Sequence, residues 1–195
     1  KDRRHIQDRD VELLKEVLDV RLNLEMAAVD EIITIAQRIK PHTVCLVPEN
    51  RQEITTEGGL DVASQKKRLT EVVRLFHDAH VKVSMFIDPE PHQVDASAET
   101  GADFVELHTG AYANASPDNV LAEITRLANA AARAIGAGLV FNAGHGLTVR
   151  NLPAVAAIPG LNEVNIGHSI VSRAVFIGLE NAVKEILDVL RRYST

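Results

Sequence analysis

The chain has 195 residues, of which 46% are hydrophobic and 25% are charged, and its formal net charge is -6 at pH 7. This composition predicts one globular domain over residues 1–195, because the length suffices for a sizeable core and no Pro/Gly/Ser-rich linker interrupts the chain. The negative charge argues against nucleic acid as a partner, and no apolar run has the length of a membrane span. A local site for a small anion remains open.

Apolar runs typical of strands alternate with amphipathic helical patterns along the whole chain. After a charged start, Asp10 is expected to cap a helix that carries Val11, Leu14 and Leu18 at helical spacing. Strands are predicted at 20–26, 43–47, 81–87, 104–108, 139–142 and 163–166. Helices are predicted to follow them at 29–39, 61–79, 91–100, 117–135, 148–157 and 169–192. Such strict alternation requires parallel strands joined by right-handed crossovers.

Polar residues at alternate strand positions favour a closed barrel over an open doubly wound sheet. Three predicted strands carry two polar residues that lie two positions apart and therefore share a face: Asn23 and Glu25, Glu106 and His108, and Glu163 and Asn165. Several strands whose polar side chains point into one shared space are typical of a barrel lumen. We therefore predict an α/β fold, a (β/α)8 TIM barrel, with six of its eight βα units in this sequence.

The single cysteine, Cys45, lies within the apolar run 43–47. One cysteine allows no disulfide framework, which fits a cytoplasmic protein. Its apolar neighbours predict a buried structural thiol.

Polar residues follow or end several predicted strands, at the face of a TIM barrel where active sites form: Glu25, Glu106, His108, His145 and His168. Three interpretations are open. The groups could bind a divalent metal such as zinc or manganese, although no His-x-His or His-Glu-x-x-His spacing supports this. They could act as general acids and bases on a phosphorylated carbonyl substrate. They could also form a hydrogen-bonded polar core without chemistry, which is costly to bury.

The sequence contains two Gly-His pairs, at 144–145 and 167–168, and each pair lies between a predicted strand and a helical pattern. Glycine lets the backbone approach a ligand, and the following helix N-terminus favours an anion. The polar loop 48–59 contains Thr55 and is suited to close over a ligand. Together these features predict a site for a phosphorylated small molecule.

Six motifs occur in the same order and at the same spacing as in a known protein family. They are RHIQDRDV (4–11), NLEMA (23–27), LVPENRQE (46–53) with TTEGGLDV (55–62), ELHTG (106–110), NAGHGL (142–147) and NIGH (165–168). In these motifs the chain resembles, from its first residue to its last, the pyridoxine 5'-phosphate synthases of the deoxyxylulose-dependent vitamin B6 pathway. The resemblance implies a TIM barrel that condenses 1-deoxy-D-xylulose 5-phosphate with 3-amino-2-oxopropyl phosphate. The products are pyridoxine 5'-phosphate, phosphate and water, with no metal or redox cofactor.

The same resemblance implies roles for particular residues. Glu25 corresponds to the family's proton acceptor, His145 to its proton donor, and Glu106 to the group that stabilises charge during ring formation. The residues that match substrate-binding positions are His5 and Thr55 for the deoxyxylulose phosphate, and Gly146, Gly167 and His168 for the aminooxopropyl phosphate. The resemblance also implies a homo-oligomer, with an octamer expected.

Members of this family carry a further strand–helix–strand segment ahead of the position that is Lys1 here, and that segment holds another catalytic histidine. A polypeptide that starts at Lys1 is therefore expected to form an open barrel without useful turnover, and one that includes the segment is expected to be active. Two alternatives remain. One is a metal-dependent sugar-phosphate isomerase or aldolase, and the other is an inactive phosphate-binding or assembly protein.

Overall fold

The computed structural model describes residues 6–49 and 58–193, in which strands and helices alternate as the sequence predicts. The strands are β1 (Asn23–Met26), β2 (Thr43–Leu46), β3 (Lys82–Ile87), β4 (Phe104–His108), β5 (Val140–Gly144) and β6 (Leu161–Asn165). The helices are α1 (Asp8–Val17), α2 (Asp30–Ile39), α3 (Val62–Asp78), α4 (Pro91–Glu99), α5 (Gly110–Ala113), α6 (Val120–Gly136), α7 (Leu152–Ala156), α8 (His168–Ile177) and α9 (Leu179–Arg191). Within the described ranges, no helix combines the length and the apolar character that crossing a bilayer needs.

The strands form one parallel sheet in which their spatial order follows their order in the chain, from β1 to β6. This order arises when every right-handed crossover moves the chain in the same direction. An open doubly wound sheet instead reverses its strand order at a switch point. The topology is therefore that of a (β/α) barrel, as the sequence predicts.

Side-chain contacts across the sheet show how strongly it curls. Oε2 of Glu106 on β4 lies 3.6 Å from Sγ of Cys45 on β2 and 2.8 Å from Nδ2 of Asn165 on β6. In a flat sheet, strands two positions apart are separated by about 10 Å. The contacts require a concave face on which alternate strands supply one layer of side chains, as in the lumen of a TIM barrel. These residues form a partial barrel of six strands.

The two faces of the sheet bury different residues. The outward face packs against the helices in the main hydrophobic core, with Val44, Leu46, Val83, Met85, Val105 and Leu107 among its members. On the concave face, Cys45 and Phe86 form a separate small apolar cluster with Val47. Glu25, Glu106 and Asn142 have the same strand parity as Cys45 and Phe86. The predicted division between a helix-facing side and a polar lumen is thus confirmed.

The chain departs from the predicted helices at both ends. The single helix expected at 169–192 is two helices, α8 and α9, because Gly178 adopts φ 81° and ψ 154°, a conformation that is open almost only to glycine. Asp10 is not the cap of α1, which begins at Asp8. Instead, the Asp10 carboxylate accepts a hydrogen bond of 2.9 Å from the backbone N–H of Gln7, the residue that caps the helix.

Gly178→Ala is expected to lower the free energy of unfolding by about 1–3 kcal/mol, because a Cβ strains this backbone conformation. Gly136→Ala is the matched control, since Gly136 is the last residue of α6 and a Cβ there meets no described heavy atom within 4 Å. The control is expected to be stabilising by about 0.4–1 kcal/mol. Urea unfolding measures both effects, and equal changes in the two variants would contradict the strain at Gly178.

Candidate active site

Glu106 lies at the centre of the concave face and is only 4% exposed. Its Oε2 accepts a hydrogen bond from the amide of Asn165 and a longer one from the thiol of Cys45. Burial and the negative charge of Glu25 raise the pKa of Glu106 to about 7, although the bonds from Asn165 and Cys45 act in the opposite direction. Near neutral pH this carboxyl group can therefore both give and take a proton.

Glu25 faces the same space from β1, where its register neighbour on β2 is Cys45. Unlike Glu106, Glu25 is exposed. A negative charge on Glu25 favours the protonated forms of both neighbours, and it contributes to the raised pKa values of Glu106 and Cys45. The structure thus brings together two carboxyl groups in contrasting surroundings, one exposed to solvent and one enclosed.

Cys45 is buried, as the sequence predicts, but it faces the lumen and not the helices. Burial and the charges of Glu106 and Glu25 raise the pKa of the Cys45 thiol well above its usual value. The protonated thiol donates to Oε2 of Glu106. Cys45 is therefore part of the surroundings that set the protonation of Glu106, a role that its apolar sequence neighbours do not indicate.

His145 follows β5 in a tight turn with an unusual backbone. Its φ is 82°, and Gly146 after it has φ 72°. The hydroxyl of Thr109 lies 2.7 Å from the carbonyl oxygen of Gly144 and 2.5 Å from that of His145. Left-handed backbone is uncommon for a residue with a side chain and persists where surrounding contacts enforce it. The turn holds the exposed His145 side chain at the carboxyl end of the strand.

Gly144 is required by the position of Glu106. A Cβ on Gly144 would lie 2.0 Å from Oε1 of Glu106, which is far inside a van der Waals contact. The carboxyl group therefore occupies the volume that a side chain on β5 would need, and the glycine of the NAGHGL motif admits it.

The two Gly-His stretches lie side by side. Gly167 is the N-cap of α8, and His168 is the first residue of that helix. The hydroxyl of Ser169 donates to the carbonyl oxygen of Leu147 at 2.6 Å, which joins the first turn of α8 to the loop that carries Gly146. Gly146, Gly167 and His168 are all exposed. Backbone N–H groups at the start of a helix attract anions, so this corner has the properties of a phosphate site.

His108 is paired with Asp88, a residue that the sequence patterns do not single out. Nδ1 of His108 lies 2.9 Å from Oδ1 of Asp88, while Oδ2 of Asp88 accepts the backbone N–H of Gly59 at 3.0 Å. The hydrogen bond with His108 is the largest cause that lowers the pKa of Asp88. The imidazole of His108 also contacts that of His145, with ring centroids 4.9 Å apart.

Two other predicted site residues belong to segments that the structure does not describe. His5 and Thr55 lie outside the described residues. Among residues 6–49 and 58–193, no three His, Cys, Asp or Glu side chains are grouped so that they could hold a metal ion.

Comparison with solved structures supports the fold. The chain is similar to KGPDC from Streptococcus mutans, with a TM-score of 0.66 and 10% identity over 96% of this chain and 80% of that one. It is also similar to the tryptophan synthase A-subunit from Pyrococcus furiosus, with a TM-score of 0.62 and 16% identity over 93% and 72% of the two chains. At these identities the likeness concerns the fold alone.

Comparison of sequences is more specific. Over 97% of its length the chain is 53% identical to pyridoxine 5'-phosphate synthases from Trichormus variabilis and Photobacterium profundum, and it spans 80% of each. It is 52% identical to the pyridoxine 5'-phosphate synthase of Prochlorococcus marinus over 95% of this chain and 76% of that protein. The family described as pyridoxal phosphate biosynthesis protein PdxJ matches residues 1–192. The chain therefore belongs to the PdxJ family of pyridoxal phosphate biosynthesis proteins.

Proposed function

We propose that this chain is a pyridoxine 5'-phosphate synthase that condenses 1-deoxy-D-xylulose 5-phosphate with 3-amino-2-oxopropyl phosphate. The observation that carries the proposal is the match to the PdxJ family over residues 1–192, together with the 52–53% identity to pyridoxine 5'-phosphate synthases. The buried carboxyl group of Glu106, which Asn165 and Cys45 contact on the concave face, supports the same activity, because a pKa of about 7 suits proton transfer at neutral pH. The products are pyridoxine 5'-phosphate, inorganic phosphate and water.

The chemistry of ring formation accounts for the residues on the concave face. Joining 3-amino-2-oxopropyl phosphate, which carries an amine and a ketone, with the ketone 1-deoxy-D-xylulose 5-phosphate requires imine formation, dehydration and loss of phosphate. These steps move protons at carbonyl or imine centres. Glu25, exposed on β1 one residue before the strand ends, is suited to accept protons, and His145 is suited to donate them. Ionised Glu106 stabilises positive charge on a nitrogen intermediate. Side chains on rigid strand ends hold these groups in a fixed arrangement.

Two phosphorylated substrates require two anion sites. Gly146 in the turn after β5 and the Gly167–His168 pair at the start of α8 support a site for the phosphate of 3-amino-2-oxopropyl phosphate, because backbone N–H groups and the helix dipole favour an anion there. We assign the deoxyxylulose phosphate to His5 and Thr55 on the basis of the sequence motifs that contain them.

The proposal also covers the cellular location and the oligomeric state of the protein. We place it in the cytoplasm, in keeping with a sequence that has a single cysteine. We also propose that it self-associates, as an octamer. This part rests on the resemblance of the six sequence motifs to the family.

Incubation of the intact protein with both substrates tests the activity. We expect pyridoxine 5'-phosphate, identified by mass spectrometry and ultraviolet absorbance, together with release of inorganic phosphate. Omission of either substrate is the control and should give neither product. Absence of pyridoxine 5'-phosphate from the complete mixture would overturn the proposal.

A further inference from the structure

We propose that Asp88 and His108 are positioning residues that fix the orientation and tautomer of His145. The inference rests on the proposed function, because His145 is there the proton donor. Three side chains on consecutive strand ends form a line: Asp88 after β3, His108 at the end of β4 and His145 after β5. The proposal adds Asp88 and His108 to the machinery of the reaction, although neither needs to contact substrate.

The pairing with Asp88 determines which nitrogen of His108 carries a proton. A carboxylate accepts hydrogen bonds but does not donate them, so the 2.9 Å contact with Oδ1 of Asp88 requires an N–H at Nδ1 of His108. The second oxygen of Asp88 is held by the N–H of Gly59 at 3.0 Å, which keeps the carboxylate from rotating away. In the neutral imidazole, Nε2 of His108 consequently carries a lone pair and acts as an acceptor.

That acceptor is buried without a hydrogen-bond partner among the described residues. The side chain of His108 is only 9% exposed, and Nε2 is one of the buried polar atoms that lack a partner in this part of the chain. An unsatisfied buried polar atom destabilises the folded protein, because it has lost its hydrogen bonds to water. This destabilisation is removed if a neighbouring donor turns toward Nε2.

His145 is positioned to supply that donor. The two imidazole rings meet edge to face, with centroids 4.9 Å apart and planes inclined by 66°. Two imidazoles joined by an N–H···N bond of about 2.9 Å have their centroids about 5 Å apart. A hydrogen bond from a ring N–H of His145 to Nε2 of His108 therefore fits the separation of the two rings.

Gly110 keeps the space beside both rings free of a side chain. A Cβ on Gly110 would lie 2.5 Å from Nε2 of His108 and 3.3 Å from Cδ2 of His145. Any other residue at this position would press on both imidazoles at the place where they meet. The glycine of the ELHTG motif thus allows the two rings to approach each other.

When His145 donates one N–H to His108, its other nitrogen is directed away from His108. His145 donates as the imidazolium, in which both nitrogens carry a proton. Nε2 of His108 holds one N–H while the other nitrogen gives its proton to the substrate, which leaves neutral His145 in the tautomer whose N–H faces His108. A carboxylate that orients an imidazole through its Nδ1–H is used in the same way in other enzymes. Asp88 has this function indirectly, because it orients His108, and His108 in turn orients His145.

Two variants test whether Asp88 and His108 position His145. Two are used so that the result does not depend on one substitution that disturbs the fold. His108→Phe keeps an aromatic ring between Phe86 and His145 but removes both nitrogens. Asp88→Asn is isosteric, and its amide can donate to Nδ1, which moves the proton of His108 to Nε2 and abolishes the acceptor. Both variants are expected to lower kcat by about tenfold to hundredfold, with KM for each substrate nearly unchanged. His80→Asn, at an exposed position outside the site, should keep the wild-type kcat.

A spectroscopic measurement separates this inference from the proposed activity. In protein labelled with 15N-histidine, the chemical shifts of the ring nitrogens report which nitrogen carries the proton. We expect His108 protonated at Nδ1 and a single tautomer of His145 in the wild type, and mixed tautomers of His145 in both variants. Unchanged His145 shifts in the two variants, or a wild-type kcat, would overturn the inference. If the wild type shows the expected shifts but forms no pyridoxine 5'-phosphate, the activity fails and the positioning of His145 stands.

Discussion

His145→Asn is expected to lower kcat by about 10²–10⁴-fold, because it removes the proposed proton donor. The fold should survive, since the His145 side chain is exposed and asparagine readily adopts the left-handed backbone that this position requires. Steady-state assays of pyridoxine 5'-phosphate formation give kcat, and circular dichroism checks the fold.

His80→Asn is a closely matched control for this variant. His80 is also an exposed histidine with positive φ, 60° against 82° for His145. It lies after α3 and outside the site, so its replacement should leave kcat unchanged. If His145→Asn retained more than about a tenth of the wild-type kcat, proton donation by His145 would be contradicted.

Glu106→Gln is expected to have opposite effects on turnover and on stability. The amide has nearly the shape of the carboxyl group but cannot exchange a proton or balance a positive charge, so kcat should fall by about 10²-fold or more. The same change removes a charge that is unfavourable in a buried site. The variant should therefore be more stable than the wild type at slightly alkaline pH.

The pH range of this stabilisation follows from the raised pKa. In the folded protein the pKa of Glu106 is about 7, against a reference value of 4.5. Below pH 4.5 the carboxyl group is protonated in both states, and the wild type and Glu106→Gln should be about equally stable. As the pH rises from 4.5 through 7, the unfolded state loses its proton first, so wild-type stability falls. The difference should reach about 3 kcal/mol at pH 8.

Denaturant unfolding at pH 5 and pH 8 measures this difference. Glu16→Gln is the control, because Glu16 is exposed on α1, and its replacement should change stability by a similar small amount at both pH values. A Glu106→Gln variant no more stable than the wild type at pH 8 would show that the buried carboxyl group is not strained by its charge.

The sequence predicts the barrel and its lumen because strand parity is a local property. Two polar residues at alternate positions, such as Glu106 and His108, share a face whatever lies around them. The parity of Asn165 in the same way predicts that its side chain faces the lumen, where the structure shows its contact with Glu106. Cys45 gave no such signal, since every neighbour in its run except Thr43 is apolar, and a thiol in that setting resembles any small core residue.

Other features depend on contacts between distant segments and could not be predicted from local patterns. Asp88 precedes Pro89, so it resembles an ordinary turn residue, and its partners His108 and Gly59 lie 20 and 29 positions away. Gly178 sits within a continuous helical pattern of apolar residues, which predicts one helix through 169–192. A glycine in such a pattern is compatible with either a continuous or a broken helix. Only the packing of α8 and α9 decides between them.

The close approach of Glu106 to Gly144 has a consequence for how this sequence can vary. Because a Cβ at 144 would overlap Oε1 of Glu106 and lie 3.1 Å from the backbone oxygen of Asn165, a side chain at 144 displaces the carboxyl group of Glu106 and also presses on β6. Shortening residue 106 first removes the carboxyl group from its place. The two positions are therefore epistatic, and every route by which single substitutions replace both residues passes through an impaired intermediate. Proteins that evolve from this chain and keep the activity should therefore retain both Glu106 and Gly144.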